Sequence, residues 1–347
     1  MKLLQRFALS AFTAATLLPL TSEAYIVQTL NVLPDYTYPD IQQMNEDGVV
    51  VGTLLGYGAM GCRWKATSPL AFPSLGPGYA HSAWAYGINN AGIAVGMLDK
   101  DGGALHPMMN FPLVPGTGSV IAPHTAPAGA TAVLRVINDS GYAVGTYNTS
   151  AFYSHPLGFK GTLPVAKVGT SFEPVAINNA GDVLGKGSTG NLVYNLEDGT
   201  AVSIASRVPT VVSATAMNEL GDVAGVKSGN TAYIRPKPAA AAVIQLGVGK
   251  VKAVHAMNDA RELLVTTHTN RPALLRPSAA IADGEFVYLD TVVTAPWTIT
   301  KLADINNAGS IAGIMRRPAT PADATSDAYI VRGFRLVEFI LIFPIFP

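Results

Sequence analysis

The residues best equipped for chemistry are six histidines, three aspartates in recurring turns, four aromatic side chains and one cysteine. The histidines stand at 81, 106, 124, 155, 255 and 268. No two are four residues apart and none lies beside a cysteine pair, so the spacing of a zinc site is missing. His106 and His155 each follow a recurring asparagine by 17 residues. An equal offset in neighbouring repeats is expected first of all for packing. Asp47, Asp139 and Asp259 fall within Asn-x-x-Gly turns and raise the question of calcium. That ion takes six to eight oxygens, commonly from several acidic side chains in one loop, whereas a lone carboxylate in a hairpin is expected to cap its turn. Trp64, Trp84, Tyr86 and Trp297 can line a carbohydrate- or peptide-binding face or pack between units, and both readings stay open. Cys62, in Gly61-Cys62-Arg63, reads as a small buried apolar residue, since no lipoprotein cleavage motif surrounds it. A phosphate loop, a dinucleotide fingerprint and a Gly-x-Ser-x-Gly elbow are all missing. The sequence therefore assigns no catalytic, cofactor-binding or metal-binding residue, expects no cofactor, and leaves ligand-binding residues unassigned.

The elements that would position any site recur along the chain. Seven segments read apolar-Asn-x-x-Gly-x-apolar-apolar-Gly, at 44–52, 88–96, 137–145, 177–185, 217–225, 257–265 and 305–313. Their asparagines (Asn45, Asn89, Asn138, Asn178, Asn218, Asn258 and Asn306) are separated by 44, 49, 40, 40, 40 and 48 residues. Such a period marks an array of supersecondary units. A strand should end at the apolar residue, the Asn side chain should bond backbone two residues on, and the Gly should supply a left-handed conformation. The second Gly is expected to end the next strand or to admit another backbone. The sixth copy has Arg261 for the turn Gly and Val265 for the last one, so its turn should be built differently.

A third strand is expected at 191–194, 231–234, 271–274, 106–108, 155–157 and 327–330. A fourth is expected at 201–204, 242–246 and 286–289. Four short strands per 40–49 residues make a propeller blade. The predicted fold is all-β, a seven-bladed β-propeller of four-stranded repeats, because an open stack would expose two uncapped edges. Residues 26–30 or residues 334–338 would supply the strand that closes the ring.

The ends and the composition bound the rest. Residues 1–24 read as a secretory signal: Lys2 and Arg6, an apolar stretch from Phe7 to Leu20, then Ser22-Glu23-Ala24. The propeller would occupy 25–338, and 339–347 form an uncharged apolar tail, too short to span a bilayer. Cleavage near Ala24 would leave 21 basic and 22 acidic residues, with no basic patch for nucleic acid. A secreted, periplasmic or cell-surface location follows, with no stable transmembrane span. Cys62 is the only cysteine, so no intrachain disulfide can form.

These units resemble the HAF repeat, a family of bacterial extracellular repeats reading approximately small-x-Gly-Ile-Asn-Asn-x-Gly-x-Val-Val-Gly before a His-Ala-Phe-like strand. The nearest copy is Ser82-Ala83-Trp84-Ala85-Tyr86-Gly87-Ile88-Asn89-Asn90-Ala91-Gly92-Ile93-Ala94-Val95-Gly96. The resemblance covers about residues 40 to 335, and the His-containing strand survives only partly, at 106–108 and 155–157. It implies an exported, propeller-like repeat protein with no shared activity and no catalytic residues. The function expected is that of a non-catalytic extracellular binding or adhesion scaffold, its partner an unknown extracellular protein or glycan. A polysaccharide-acting propeller enzyme and a structural envelope or matrix component are the alternatives.

Overall fold

A computed structural model of the chain describes residues 23–340, except residues 57, 66, 68, 149 and 157 and the segments 72–81, 101–103, 112–120, 124–130 and 324–327. All of the expected secretory signal except Glu23 and Ala24, and nearly all of the apolar tail, lie outside the described residues, as do His81 and His124.

Among the described residues, twenty-eight strands form seven antiparallel four-stranded sheets. After β1 (Glu23–Leu30), blade 1 contains β2 (Tyr36–Met44), β3 (Val50–Gly56), β4 (Ala59–Trp64) and β5 (Pro69–Ala71). Blade 2 contains β6 (Ala83–Ile88), β7 (Ala94–Lys100), β8 (Ala104–Asn110) and β9 (Ile121–Pro123); blade 3 contains β10 (Ala132–Ile137), β11 (Ala143–Tyr147), β12 (Ser150–His155) and β13 (Gly158–Thr162). Blade 4 contains β14 (Glu173–Ile177), β15 (Asp182–Gly187), β16 (Gly190–Asn195) and β17 (Ala201–Ser203); blade 5 contains β18 (Val211–Met217), β19 (Val223–Lys227), β20 (Thr231–Arg235) and β21 (Ile244–Leu246). Blade 6 contains β22 (Val251–Met257), β23 (Leu263–Thr267), β24 (Pro272–Arg276) and β25 (Glu285–Tyr288). Blade 7 is built from β26 (Thr298–Ile305), β27 (Ile311–Pro318), β28 (Tyr329–Ile340) and, at its edge, β1.

The ring is closed by the N-terminal strand. β1 pairs with β28 in continuous register from Glu23 opposite Ile340 to Leu30 opposite Gly333. Residues 334–338, the other candidate for closure, belong to the third strand of the same blade.

The core is divided as the short apolar strands require. Among the described residues it forms seven apolar clusters, one at each interface between neighbouring blades. Adjacent residues of a middle strand serve opposite interfaces: Leu263 and Val265 pack toward blade 5, and Leu264 between them packs toward blade 7. Alternation therefore survives in direction but not in polarity, because both faces are buried. Cys62 is fully buried in the cluster between blades 7 and 1, and burial pushes its thiol up to about 12.

Two expectations about local structure need correction. The third strand of blade 3 is Ser150–His155, not 155–157. His155-Pro156 leads into the turn before β13, whereas His106-Pro107 lies inside β8 opposite Leu98 and Met97. The equal spacing of the two histidines thus does not correspond to equal positions. The sixth turn, in contrast, has the same form as the others. Arg261 adopts φ +64°, beside +72° to +85° at the six turn glycines, and its N–H donates to the carbonyl of Asn258 at 3.0 Å as theirs do. The left-handed conformation is costly for a residue with a Cβ. Arg261 is held there by an ion pair at 2.7 Å with the buried Asp222 of blade 5.

Candidate ligand channel

The innermost strands of the blades surround a central channel, whose first mouth is made by the seven Asn-x-x-Gly turns. Each motif asparagine accepts, through Oδ1, the N–H four residues on, rather than two as its turn chemistry suggested. The bonds run to Val49, Ile93, Tyr142, Asp182, Asp222, Glu262 and Ser310 at 2.8–3.0 Å. In six of the seven, Nδ2 then donates to the backbone carbonyl of the next blade's asparagine at 3.0–3.3 Å. Asn178 instead turns its amide to Asp182 Oδ2 at 3.1 Å, an oxygen shared with Lys237. The asparagine is thus a strut between blades as well as a turn cap. Asn138→Ala strands the N–H of Tyr142 and removes the inter-blade bond to the carbonyl of Asn178, which keeps the N–H of Gly181, and should cost about 1–3 kcal/mol in urea unfolding, the penalty of one unsatisfied buried group. Asn178→Ala should cost less, having no carbonyl in the next blade to lose.

The residue after each asparagine forms a second, complete ring. The N–H of Glu46 donates to Asn90 Oδ1, that of Asn90 to Asp139, and so on through Asn179, Glu219, Asp259 and Asn307 back to Glu46, at 2.7–3.0 Å. Four members are acids and three are amides. Side-chain amides add further bonds to Asp139 from Asn90 and Asn179, and to Asp259 from Asn307. Asp139 and Asp259 are therefore acceptors of a structural ring; Asp47, outside the ring, is exposed. Among the described residues no group of His, Cys, Asp or Glu is arranged to hold a metal ion. Burial pushes the carboxyls of Glu46 and Glu219 up, and the negative charges of Asp139 and Asp259 add to the effect.

Below this mouth the channel widens into a chamber of about 320 Å³. Its wall follows from one irregularity repeated seven times. In every innermost strand the register with the second strand skips one residue, a β-bulge three positions before the asparagine. The skipped residues are Gln42, Tyr86 and Arg135 in blades 1 to 3, then Val175, Thr215, His255 and Ala303 in blades 4 to 7. All seven line the chamber. A bulge re-aims its unpaired side chain, and here it aims each one at the channel.

In six blades the motif's second glycine makes room for the bulged strand. A Cβ at Gly52, Gly96, Gly145, Gly185, Gly225 or Gly313 would lie 1.8–2.6 Å from a carbonyl oxygen of the innermost strand. The glycine admits a close backbone, as one of its two expected roles required. Turn, strut and bulge repeat, while the residue presented to the chamber changes from blade to blade.

Several chamber side chains are already engaged. Gln42 Nε2 donates to Asp40, itself paired with Lys301 at 2.7 Å. Thr215 Oγ1 donates to the carbonyl of Val254. His255 Nε2 lies 2.8 Å from Thr266 Oγ1, and burial lowers its affinity for a second proton. Asp304 accepts the N–H groups of Met44 and Ile305, while burial raises its carboxyl to about 7. Arg135 stacks its guanidinium over the Tyr86 ring, 4.9 Å from the centroid. Beside Thr215 and His255, blades 4 to 6 add the apolar side chains Val175, Ala176, Ala216 and Ala256 to the wall. Such a surface is suited to non-covalent recognition.

The aromatic residues picked from sequence do not share a face. Trp64 is buried in the core, its Nε1 donating to Asn31 O at 2.8 Å. Tyr86 reaches the chamber, whereas its strand neighbour Trp84 is absent from the wall. Trp297 lines a separate cavity of about 250 Å³ with Arg271 and Pro296. His255 is the only histidine on the chamber wall among the described residues, and His155 packs against Tyr142 at 5.2 Å.

The geometry defines a seven-bladed β-propeller with an axial channel lined by bulge residues. No protein-family model and no curated protein matches the sequence. Solved structures of similar shape include one titled "YCF48 bound to D1 peptide", with TM-score 0.54, 11% identity, and 93% of this chain and 97% of that one covered. Another is virginiamycin B lyase from Staphylococcus aureus, with TM-score 0.53, 13% identity, and 91% and 99% covered. A further streptogramin B lyase has TM-score 0.51 and 11% identity, covering 91% and 98%. At such identities the likeness is one of fold. No helix among the described residues is long and apolar enough to cross a membrane.

Proposed function

We propose that the chain is an exported, non-catalytic binding scaffold of HAF-repeat type that takes its ligand in the bulge-lined chamber. The observation that carries this reading is the division of labour within the repeat. The Asn turn and its Gly are nearly constant, while the bulge position carries Gln, Tyr, Arg, Val, Thr, His and Ala in succession. A framework that repeats its scaffold and varies one inward residue offers a heterogeneous wall of the kind that orients a ligand. Propellers of this shape include one solved with a bound peptide, which supports recognition as a use of the fold. Export rests on the charged, apolar and small-residue pattern of residues 1–24, and N-terminal sequencing of protein recovered outside the cytoplasm should begin at Tyr25.

The test is an array of glycans and short peptides probed with the chain from Tyr25 onward. Val175→Trp, which fills the chamber, should weaken every hit at least tenfold, and Lys250→Ala, at a distant exposed ion pair, should weaken none. Hits indifferent to Val175→Trp would move recognition to the outer loops. An array without hits would count against the scaffold reading itself.

A further inference from the structure

We propose that the chamber takes a ligand bearing a carboxylate and a short apolar group, the carboxylate held by Arg135 and Tyr86 and the apolar group lying against Val175 and Ala216. This deepens the reading of the chamber as a binding site and rests on it.

The assignment comes from asking which chamber groups have spent their hydrogen-bonding capacity. Gln42, Thr215, His255 and Asp304 each have a partner within the protein. Among the described residues, the Arg135 guanidinium makes no hydrogen bond or ion pair, and the Tyr86 hydroxyl makes no hydrogen bond; the two side chains stack on each other. Several other arginines of the fold are paired with carboxylates: Arg261 with Asp222, Arg271 with Asp290, Arg276 with Glu262 and Arg317 with Asp323. Arg135, together with Pro174 and Val175, also lines a second cavity, of about 400 Å³, between blades 3 and 4. Its five N–H donors form a planar fork that suits a carboxylate, and stacking on Tyr86 fixes the plane of that fork.

The surroundings select for that charge. Asp40 is neutralised by Lys301, and the oxygens of Asp304 are capped by two backbone N–H groups. The carboxylate left near Arg135 is Glu173, an exposed residue on the wall of the second cavity that forms no ion pair with it. A cationic ligand would meet Arg135 with only the exposed Glu173 nearby to offset the repulsion. On the neighbouring blades 4 and 5, the small side chains Val175, Ala176 and Ala216 leave room for a branched aliphatic group and offer it no hydrogen bond.

A free carboxylic acid and a peptide C-terminus share this chemistry. Calorimetry on the chain from Tyr25 onward should use N-acetyl-leucine and N-acetyl-leucinamide, and the tetrapeptide acetyl-Ala-Ser-Ala-Leu as acid and as amide. At least one acid should bind ten times or more tighter than its amide. Arg135→Gln should abolish the difference, Arg135→Lys should keep part of it, and Tyr86→Phe should reduce it several-fold. Glu173→Gln should tighten acid binding. Equal affinity for the two acids would assign the site to small carboxylic acids, and a tenfold preference for the peptide would assign it to a chain terminus lying in the second cavity. Equal binding of acids and amides, no binding of either acid at millimolar concentration, or a preference for glucuronate over N-acetyl-leucine would overturn the assignment. An array ligand lost in Val175→Trp but unaffected by Arg135→Gln would leave the chamber as a binding site and remove the carboxylate from it.

Discussion

A chain that begins at Asn31 should lose cooperative unfolding and associate, whereas the chain from Tyr25 should melt in one transition and run as a discrete species. Losing β1 removes the whole ladder that joins Glu23–Leu30 to β28. It also takes Leu30, buried at 1% exposure, from the cluster between blades 7 and 1, and Tyr25 from the cluster between blades 6 and 7. Arg335 loses Gln28, whose Oε1 accepts from its guanidinium at 2.5 and 3.0 Å. Truncating a single buried leucine costs about 2–5 kcal/mol, so losing the strand that contains it should cost on the order of 5 kcal/mol or more. The strand laid bare, β28, is twelve residues long and includes Tyr329, Val331, Phe334 and Leu336. An edge of that length and apolarity pairs with other chains. Circular dichroism melts and gel filtration of the two chains test this, with a synthetic peptide of residues 23–31 added to the shorter one. Restoration of the melt by the peptide would locate the defect in the missing strand. A midpoint within about 3 °C of the longer chain would mean that blade 7 closes adequately without β1, since 1 kcal/mol shifts a domain of this size by roughly 2–4 °C or less.

The fold was legible in the sequence wherever local chemistry repeats. Asn45 to Asn306 mark the turns, their spacing gives the blade count, and runs such as Val49-Val50-Val51 mark strands buried on both faces. What stayed hidden is what tertiary contact decides. The third strand of blade 3 was placed too late because His155-Pro156 resembles His106-Pro107, although one ends its strand and the other lies within it. The turn at Arg261 was expected to differ because the ion pair that holds it reaches Asp222 in another blade. The candidate site was the least visible part. A bulge is a matter of register between two strands, and nothing in Ala85-Tyr86-Gly87 states that Tyr86 is skipped. Two signals were available. The position after the asparagine is always Asn, Asp or Glu, as a ring of acceptors requires. The position three before the asparagine varies freely between polar and apolar types, unlike the position before it, which is always apolar, from Ile41 to Leu302.

Gly145→Ala should destabilise the protein and disturb the chamber together, because the glycine and the bulge form one structural unit. A Cβ at Gly145 would lie 1.8 Å from Val133 O and 2.8 Å from Leu134 Cα. Both obstacles are backbone, so no rotamer change relieves the clash. Either the two strands separate or the bulge is drawn straight, and the expected cost is at the upper end of the about 1–3 kcal/mol typical of overpacking. Drawing it straight would return Arg135 to the ladder and away from Tyr86. Blade 6 supplies the internal comparison. It has Val265 at the equivalent position, fully buried between blades 5 and 6, yet keeps its bulge at His255. A side chain is therefore tolerable where the neighbouring strand has made room for it, and the penalty in blade 3 belongs to the close approach of Val133. Val265→Gly should accordingly be destabilising too, by about 1.5–3 kcal/mol for the lost burial of a valine, through a hole instead of a clash. Urea unfolding measures both costs. Carboxylate affinity separates them: Gly145→Ala should weaken N-acetyl-leucine binding as Arg135→Gln does, while Val265→Gly, on the far side of the ring from Arg135, should leave it intact. Equal effects of the two substitutions on binding would mean that the glycine stabilises the blade without aiming the bulge residue.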